Sequence, residues 1–170
     1  SSNAGIAWKI YYGTVSTNAV LNGSKSAQMR WYNSASANLP YIQSTTLVKG
    51  LKSISFTALT SDNDYKYSVS YSTNGTSWTS VATGQSVGST SSKQTKSYTI
   101  NANGVDAYIK IAITSTTNVT DKATFRIDDV VFTYLETTSG GGGSTTYDNY
   151  ITTCATGDPC ASLQAPNVTA

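Results

Sequence analysis

The chain has 170 residues, 38% hydrophobic and only 12% charged, with a net charge of +2, two cysteines and no histidine. That length fits one globular domain with a remainder, and the eleven scattered Lys and Arg form no basic run of the kind a nucleic-acid partner requires. No apolar stretch approaches the ~20 residues that span a bilayer, and the lack of His removes the commonest general base, the usual catalytic triads and most zinc sites.

Ser, Thr, Asn and Tyr take the place of charge, a mixture that favours strands and turns. In chain order, strands are predicted near "AWKIYYG", "SAQMRWY", "YIQSTTLV", "LKSISFTAL", "YKYSVSYS", "TSVATG", "KQTKSYTI", "AYIKIAIT" and "ATFRIDDVVFTYL". Turn clusters separate them, and no segment keeps a helical period. Asn74-Gly75, in "YSTNGTSW", predicts a tight hairpin turn. Many short strands at even spacing predict an all-β sandwich or barrel. "SGGGGS", Ser139 to Ser144, reads as a flexible spacer. The chain therefore divides into a sandwich (1–136), a Gly/Ser linker (137–144) and an extended tail (145–170). With no initiating Met and no visible signal peptide, it reads as a piece of a longer protein.

The period-2 alternation sorts faces. Met29, Trp31, Ile54, Phe56, Ile109, Ile111, Ile113, Phe125 and Ile127 are predicted for the core. Gln28, Arg30, Tyr32, Lys66, Ser68, Tyr108, Lys110, Arg126 and Asp128 fall on the opposite faces of the same strands. In the tail, Cys154 and Cys160 flank "ATGDP". They could close a small disulfide loop, as in oxidising compartments, or remain free thiols.

"FRIDDVVFTY" resembles the closing strand of jelly-roll carbohydrate-binding modules, which often end in an aromatic residue, Ile-Asp-Asp-Val and an apolar residue. "GSKSAQMRWY" and "LVKGLKSISFTAL" resemble earlier strands of such domains. "VSYSTNGTSWTSV" resembles the hairpin of discoidin-like and adhesin-like sandwiches. Over residues 5–136 the chain looks like the accessory domains of secreted multidomain Bacteroidota proteins. "LQAPNVTA" looks like the start of a fibronectin type III or Ig-like module. The resemblance implies a two-sheet antiparallel jelly-roll β-sandwich, galactose-binding-like in architecture. It also implies that Asp128 or Asp129 ligates one structural Ca²⁺, completed by carbonyls and hydroxyls. "SDND", at Asp62 to Asp64, is a second acidic loop, which otherwise reads as a turn. The hairpin also matches, loosely, the Asp-box turn of sialidase-type propellers, with Asn74 in place of Asp.

Sugar recognition stacks pyranose faces on aromatic rings and holds hydroxyls with polar groups. Arg30, Tyr32, Tyr108 and Lys110 are therefore expected to form a glycan-binding strip, with Trp78 displayed at the hairpin tip. Catalysis is not expected. Glu136 is the sole Glu, and neighbours such as Asp128 and Asp129 should point to opposite faces of a strand. The reading is a non-catalytic extracellular or cell-surface binding module for a polysaccharide or glycan, flanked by neighbouring modules. The alternative is a structural or adhesive subunit, or a spacer, of a bacterial surface assembly. In that case "TTYDNYITTC" could add a strand to a neighbour.

Overall fold

The structure is a computed structural model. It describes residues 5–18, 20–30, 39–115 and 122–135, and the backbone of 147–149. Trp31, Tyr32, Cys154 and Cys160 lie outside the described residues, as do the Gly/Ser spacer and residues 150–170.

The described strands are β1 (Trp8–Tyr11), β2 (Gly13–Ser16), β3 (Ser26–Arg30), β4 (Tyr41–Ser44), β5 (Val48–Thr60), β6 (Lys66–Ser72), β7 (Thr79–Ser86), β8 (Gln94–Thr99), β9 (Val105–Ser115), β10 (Thr124–Tyr134) and β11 (Tyr147–Asn149). They build two antiparallel sheets. The first has the order β1-β4-β9-β6-β7. The second has the order β8-β5-β10-β3-β2. At one corner β5 also pairs with β9, where Val48 meets Ala107 and Leu51 meets Val105. This is the jelly-roll sandwich expected from the sequence.

β5 can serve both sheets because Gly50 turns the strand at φ +60°. A Cβ there would sit 2.5 Å from the Leu135 carbonyl oxygen, so glycine is required on both counts. The Gly50 carbonyl accepts from Leu135 N–H at 2.7 Å, which ties the end of β10 to this corner. β10 pairs with β3 only along 124–127. Further along, on the stretch that β3 leaves open, Tyr147–Asn149 adds as β11, with Phe132 opposite Tyr147 and Val130 opposite Asn149. Tyr147–Asn149, the described part of "TTYDNYITTC", thus pairs with the chain's own sandwich.

The core follows the alternation. Met29, Ile54, Phe56, Ile109, Ile111, Ile113, Phe125 and Ile127 are all buried. Aromatic rings join the layers: Trp8 of the first sheet stacks on Phe132 of the second at 5.9 Å, and Phe125 lies 5.9 Å from Tyr65 and 5.1 Å from Tyr67. Tyr67 also reaches across to β8, where its hydroxyl meets that of Tyr98 at 2.6 Å. Burial first, then this hydrogen bond, pushes the Tyr67 phenol far above its ordinary range, and burial raises Tyr98 as well. Both shifts are upward, so the folded state holds protons that the unfolded chain releases above about pH 10. Stability should be full below that pH and fall as pH rises through it. Urea unfolding between pH 8 and 11 checks this, and Tyr67→Phe should make the alkaline fall shallower.

Candidate functional site

The outer face of the first sheet is built from residues that alternate with the core. β1 contributes Lys9 and Tyr11, β4 Tyr41 and Gln43, β9 Tyr108, Lys110 and Ala112, and β6 Lys66, Ser68 and Ser70; all are half-buried. Strand register aligns them in rows. One row runs Tyr11, Tyr41, Ala112, Ser68, and the next runs Lys9, Gln43, Lys110, Ser70.

Rings and ammonium groups dominate this face. Tyr11 and Tyr41 stack at 5.0 Å. Both Lys9 and Lys110 hold their Nζ over the Tyr41 ring, at 5.6 and 5.4 Å. Lys110 also lies 3.7 Å from the centroid of Trp78. Such cation–π contacts fix a long side chain that would otherwise wave in solvent. Burial, then the neighbouring Lys9 charge, lowers the Lys110 pKa.

Trp78 is delivered by the β6–β7 connection. The loop runs over residues 73–78, and only Gly75, at φ +78°, is left-handed. It is therefore not the two-residue turn that Asn-Gly suggests. Side chains shape it instead. Ser72 Oγ accepts from Asn74 N–H at 3.3 Å and from Gly75 N–H at 2.8 Å. Asn74 Oδ1 accepts from the N–H groups of Thr76 and Ser77 at 2.9 and 2.8 Å. These bonds satisfy the loop backbone locally. The loop rests on Tyr108, whose ring lies 3.5 Å from where a Gly75 Cβ would be. Trp78 is half-buried and roofed by Lys110, so the ring seats a lysine and is not a free tip.

At the opposite end of the face, Tyr12 crosses from the first sheet to the second at φ +49°. That conformation is rare for an aromatic residue. Its ring stands 40% exposed and packs edge-on to Tyr11 at 4.5 Å. A hydrogen bond with Tyr12 is the first cause raising the Tyr11 phenol. The Tyr12 carbonyl accepts from Arg30 N–H at 3.0 Å, which helps hold the strained residue in place.

Of the predicted strip, the structure brings Trp78, Tyr108 and Lys110 together. Arg30 is a correction: it belongs to β3 of the second sheet, so its strand does not contribute to the face that carries Tyr108 and Lys110. Lys9, Tyr11, Tyr12 and Tyr41 were not singled out from the sequence. Their signal is present in "WKIYY" and "YIQS", where Lys9, Tyr11, Tyr41 and Gln43 alternate with Trp8, Ile10, Ile42 and Ser44.

The acidic pair Asp128–Asp129 also departs from expectation. Asp129 adopts φ +47° within a bulge in the β10–β5 ladder, which breaks the alternation. Both carboxylates then turn to Asn22 rather than to opposite faces. Asp128 Oδ2 accepts from Asn22 N–H at 3.0 Å and from Ser26 Oγ–H at 2.7 Å, and its Oδ1 accepts from Asp129 N–H at 2.9 Å. Asp129 accepts from the Asn22 side-chain amide and from Thr57 Oγ–H. Lys93 Nζ donates to the Leu21 carbonyl at 3.2 Å and to Asn22 Oδ1. The cluster is all oxygen, which suits a hard cation in kind, but an ammonium already holds two of those oxygens. In "SDND", Asp62 Oδ1 accepts from Asp64 N–H at 2.9 Å, forming a turn.

No protein-family model and no curated protein matches the chain in sequence. Solved structures do match in fold. The K2 cleaved adhesin domain of Lys-gingipain aligns at 16% identity over 76% of this chain and 83% of its own, with a TM-score of 0.51. The K3 adhesin domain of Lys-gingipain from Porphyromonas gingivalis w83 aligns at 15% identity over 74% and 90%, with a TM-score of 0.50. A non-crystalline cellulose specific carbohydrate-binding module, CBM28, aligns at 10% identity over 74% and 86%, also with a TM-score of 0.50. The chain has the all-β jelly-roll sandwich of carbohydrate-binding modules.

Proposed function

We propose that this is a non-catalytic, extracellular carbohydrate-binding module of a larger secreted or surface protein. Residues 1–136 form the binding unit, 137–144 the spacer and 145–170 a lead into a next module. The observation that carries the reading is the platform of Tyr11, Tyr41 and Trp78 threaded by Lys110 on one sheet face. Rings on a half-exposed sheet suit stacking against sugars, and Gln43, Ser68 and Ser70 suit their hydroxyls. Attachment of such a module raises local concentration through multivalency. The test is retention of the full chain on immobilised polysaccharides. Saturable, ligand-selective retention supports the reading, and none on any glycan by a folded sample ends it.

One structural calcium at Asp128 and Asp129 belongs to the same proposal. Calcium would have to displace Lys93 from Leu21 and Asn22. The thermal midpoint should rise by about 5 °C or more between chelator and 1 mM calcium, the order expected when ligand exceeds Kd a hundredfold. Equal midpoints would leave the cluster as a hydrogen-bonded anchor of the 21–26 loop. The second reading is a structural subunit in which the three-residue β11 pairs with β10 of a neighbouring copy in place of its own. Concentration-dependent self-association in sedimentation would support it.

A further inference from the structure

Among the described residues, the outer face of the first sheet carries positive charge that no carboxylate balances. Lys9 and Lys110 stand over the same Tyr41 ring, at 5.6 and 5.4 Å. They approach it from two strands, with Gln43 between them in the row. Lys66 lies on the same face of β6. Among the described residues neither Lys9 nor Lys110 has a carboxylate partner; the ion pair there is Lys49 with Asp106 at 2.7 Å. Asp106 does share the outward register of Tyr108 and Lys110, but it lies at the far end of β9. It is committed to Lys49 and to the Gly50 N–H, which it accepts at 2.9 Å. β1, β4, β6 and β7 contain no acidic residue.

Two like charges held close on a half-buried aromatic surface repel each other, and burial sharpens the repulsion. Lys110 is held there because Tyr41 and Trp78 provide ring faces on either side. An anion placed between the ammonium groups would relieve the repulsion, while the sugar that carries it rests on the rings. A neutral glycan would leave both charges uncompensated.

We infer that the ligand of this face is an acidic polysaccharide, whose carboxylate or sulfate is gripped by Lys9 and Lys110 while its ring packs against Tyr11, Tyr12 and Tyr41. This rests on the carbohydrate-binding reading and narrows it to one ligand class. Ammonium groups accept carboxylate and sulfate alike, so both sources enter the test.

The experiment measures retention of the full chain on polygalacturonate and its carboxyl-reduced form, and on dextran sulfate and dextran. The acidic member of at least one pair should bind about tenfold more tightly than its neutral twin, and should be released as salt rises from 50 to 500 mM. Lys9→Gln and Lys110→Gln should each weaken acidic binding about tenfold, whereas Lys96→Gln, on β8 of the other sheet, should not. Whichever acidic polymer binds identifies the anion. Equal binding of the acidic and neutral members, with no preference in either pair, would overturn the inference and keep the carbohydrate reading. Binding of none of these polymers, with a folded sample, would overturn the inference and leave the carbohydrate reading to retention on other polysaccharides. Equal affinity for single-stranded DNA would also overturn the inference, since charge alone would then explain retention.

Discussion

Tyr41→Ala should abolish glycan retention while leaving the sandwich folded. Tyr41 is the hub of the face: Tyr11 stacks on it at 5.0 Å, and two lysines sit over its ring. Removing the ring deletes a stacking surface and frees the Lys9 ammonium, while Lys110 keeps its seat over Trp78 but loses its second ring. Central aromatic anchors of this kind contribute about 2 kcal/mol or more to binding, a loss of about 30-fold in affinity. The side chain is only half-buried on an outer face, so the thermal midpoint should move little. Tyr41→Phe keeps the ring and should keep most of the binding, which separates stacking from the hydroxyl. Retention by affinity electrophoresis, with circular dichroism as the folding control, checks both variants. Unchanged retention of Tyr41→Ala would move the site off this sheet.

Phe125→Ala should be strongly destabilising. Phe125 is fully buried on β10 and packs against Tyr65 and Tyr67, so it joins the two sheets rather than filling one. Loss of a buried phenyl ring costs about 3–5 kcal/mol, transfer and cavity together. Against a total stability of about 5–15 kcal/mol, that is a large share. The Tyr67–Tyr98 hydroxyl pair lies beside this ring system, and the tyrosines will not collapse into the space without breaking it. Urea unfolding should show a much lower midpoint with an unchanged slope. A loss below 1 kcal/mol would mean that the aromatic layer repacks freely.

Much of the sandwich was legible because one physical rule governs it. Strands with one wet face alternate, so Ile109, Ile111 and Ile113 had to share the side opposite Tyr108 and Lys110, and they do. The same rule says which face of its own strand a residue occupies, but not which sheet that strand joins. Arg30 and Lys110 look equivalent in sequence, yet their strands pair into different sheets. The strands in "AWKIYYG" and "YIQSTTLV" were legible too, but four residues of alternation do not say that their outward Lys9, Tyr11 and Tyr41 share a face with Lys110. Alternation also fails where the backbone leaves the extended region. Asp129 at φ +47° and Tyr12 at φ +49° are set by the tertiary structure around them, and no local pattern in Asp-Asp or Tyr-Tyr announces that.

The pairing of β11 with β10 has a mechanical consequence. The chain runs out along β10 and returns antiparallel, so that Asn149 lies opposite Val130 and Tyr147 opposite Phe132. A pull on the chain beyond Asn149 would load the Val130–Asn149 pair first and then work toward Phe132. The ladder would peel one rung at a time and not shear as a block, the low-force mode of failure. Residues 135–149 would then pay out about 50 Å of chain before tension reached the sandwich itself. The short strand would thus act as a fuse in series with the domain, yielding under load and re-forming when the load is gone.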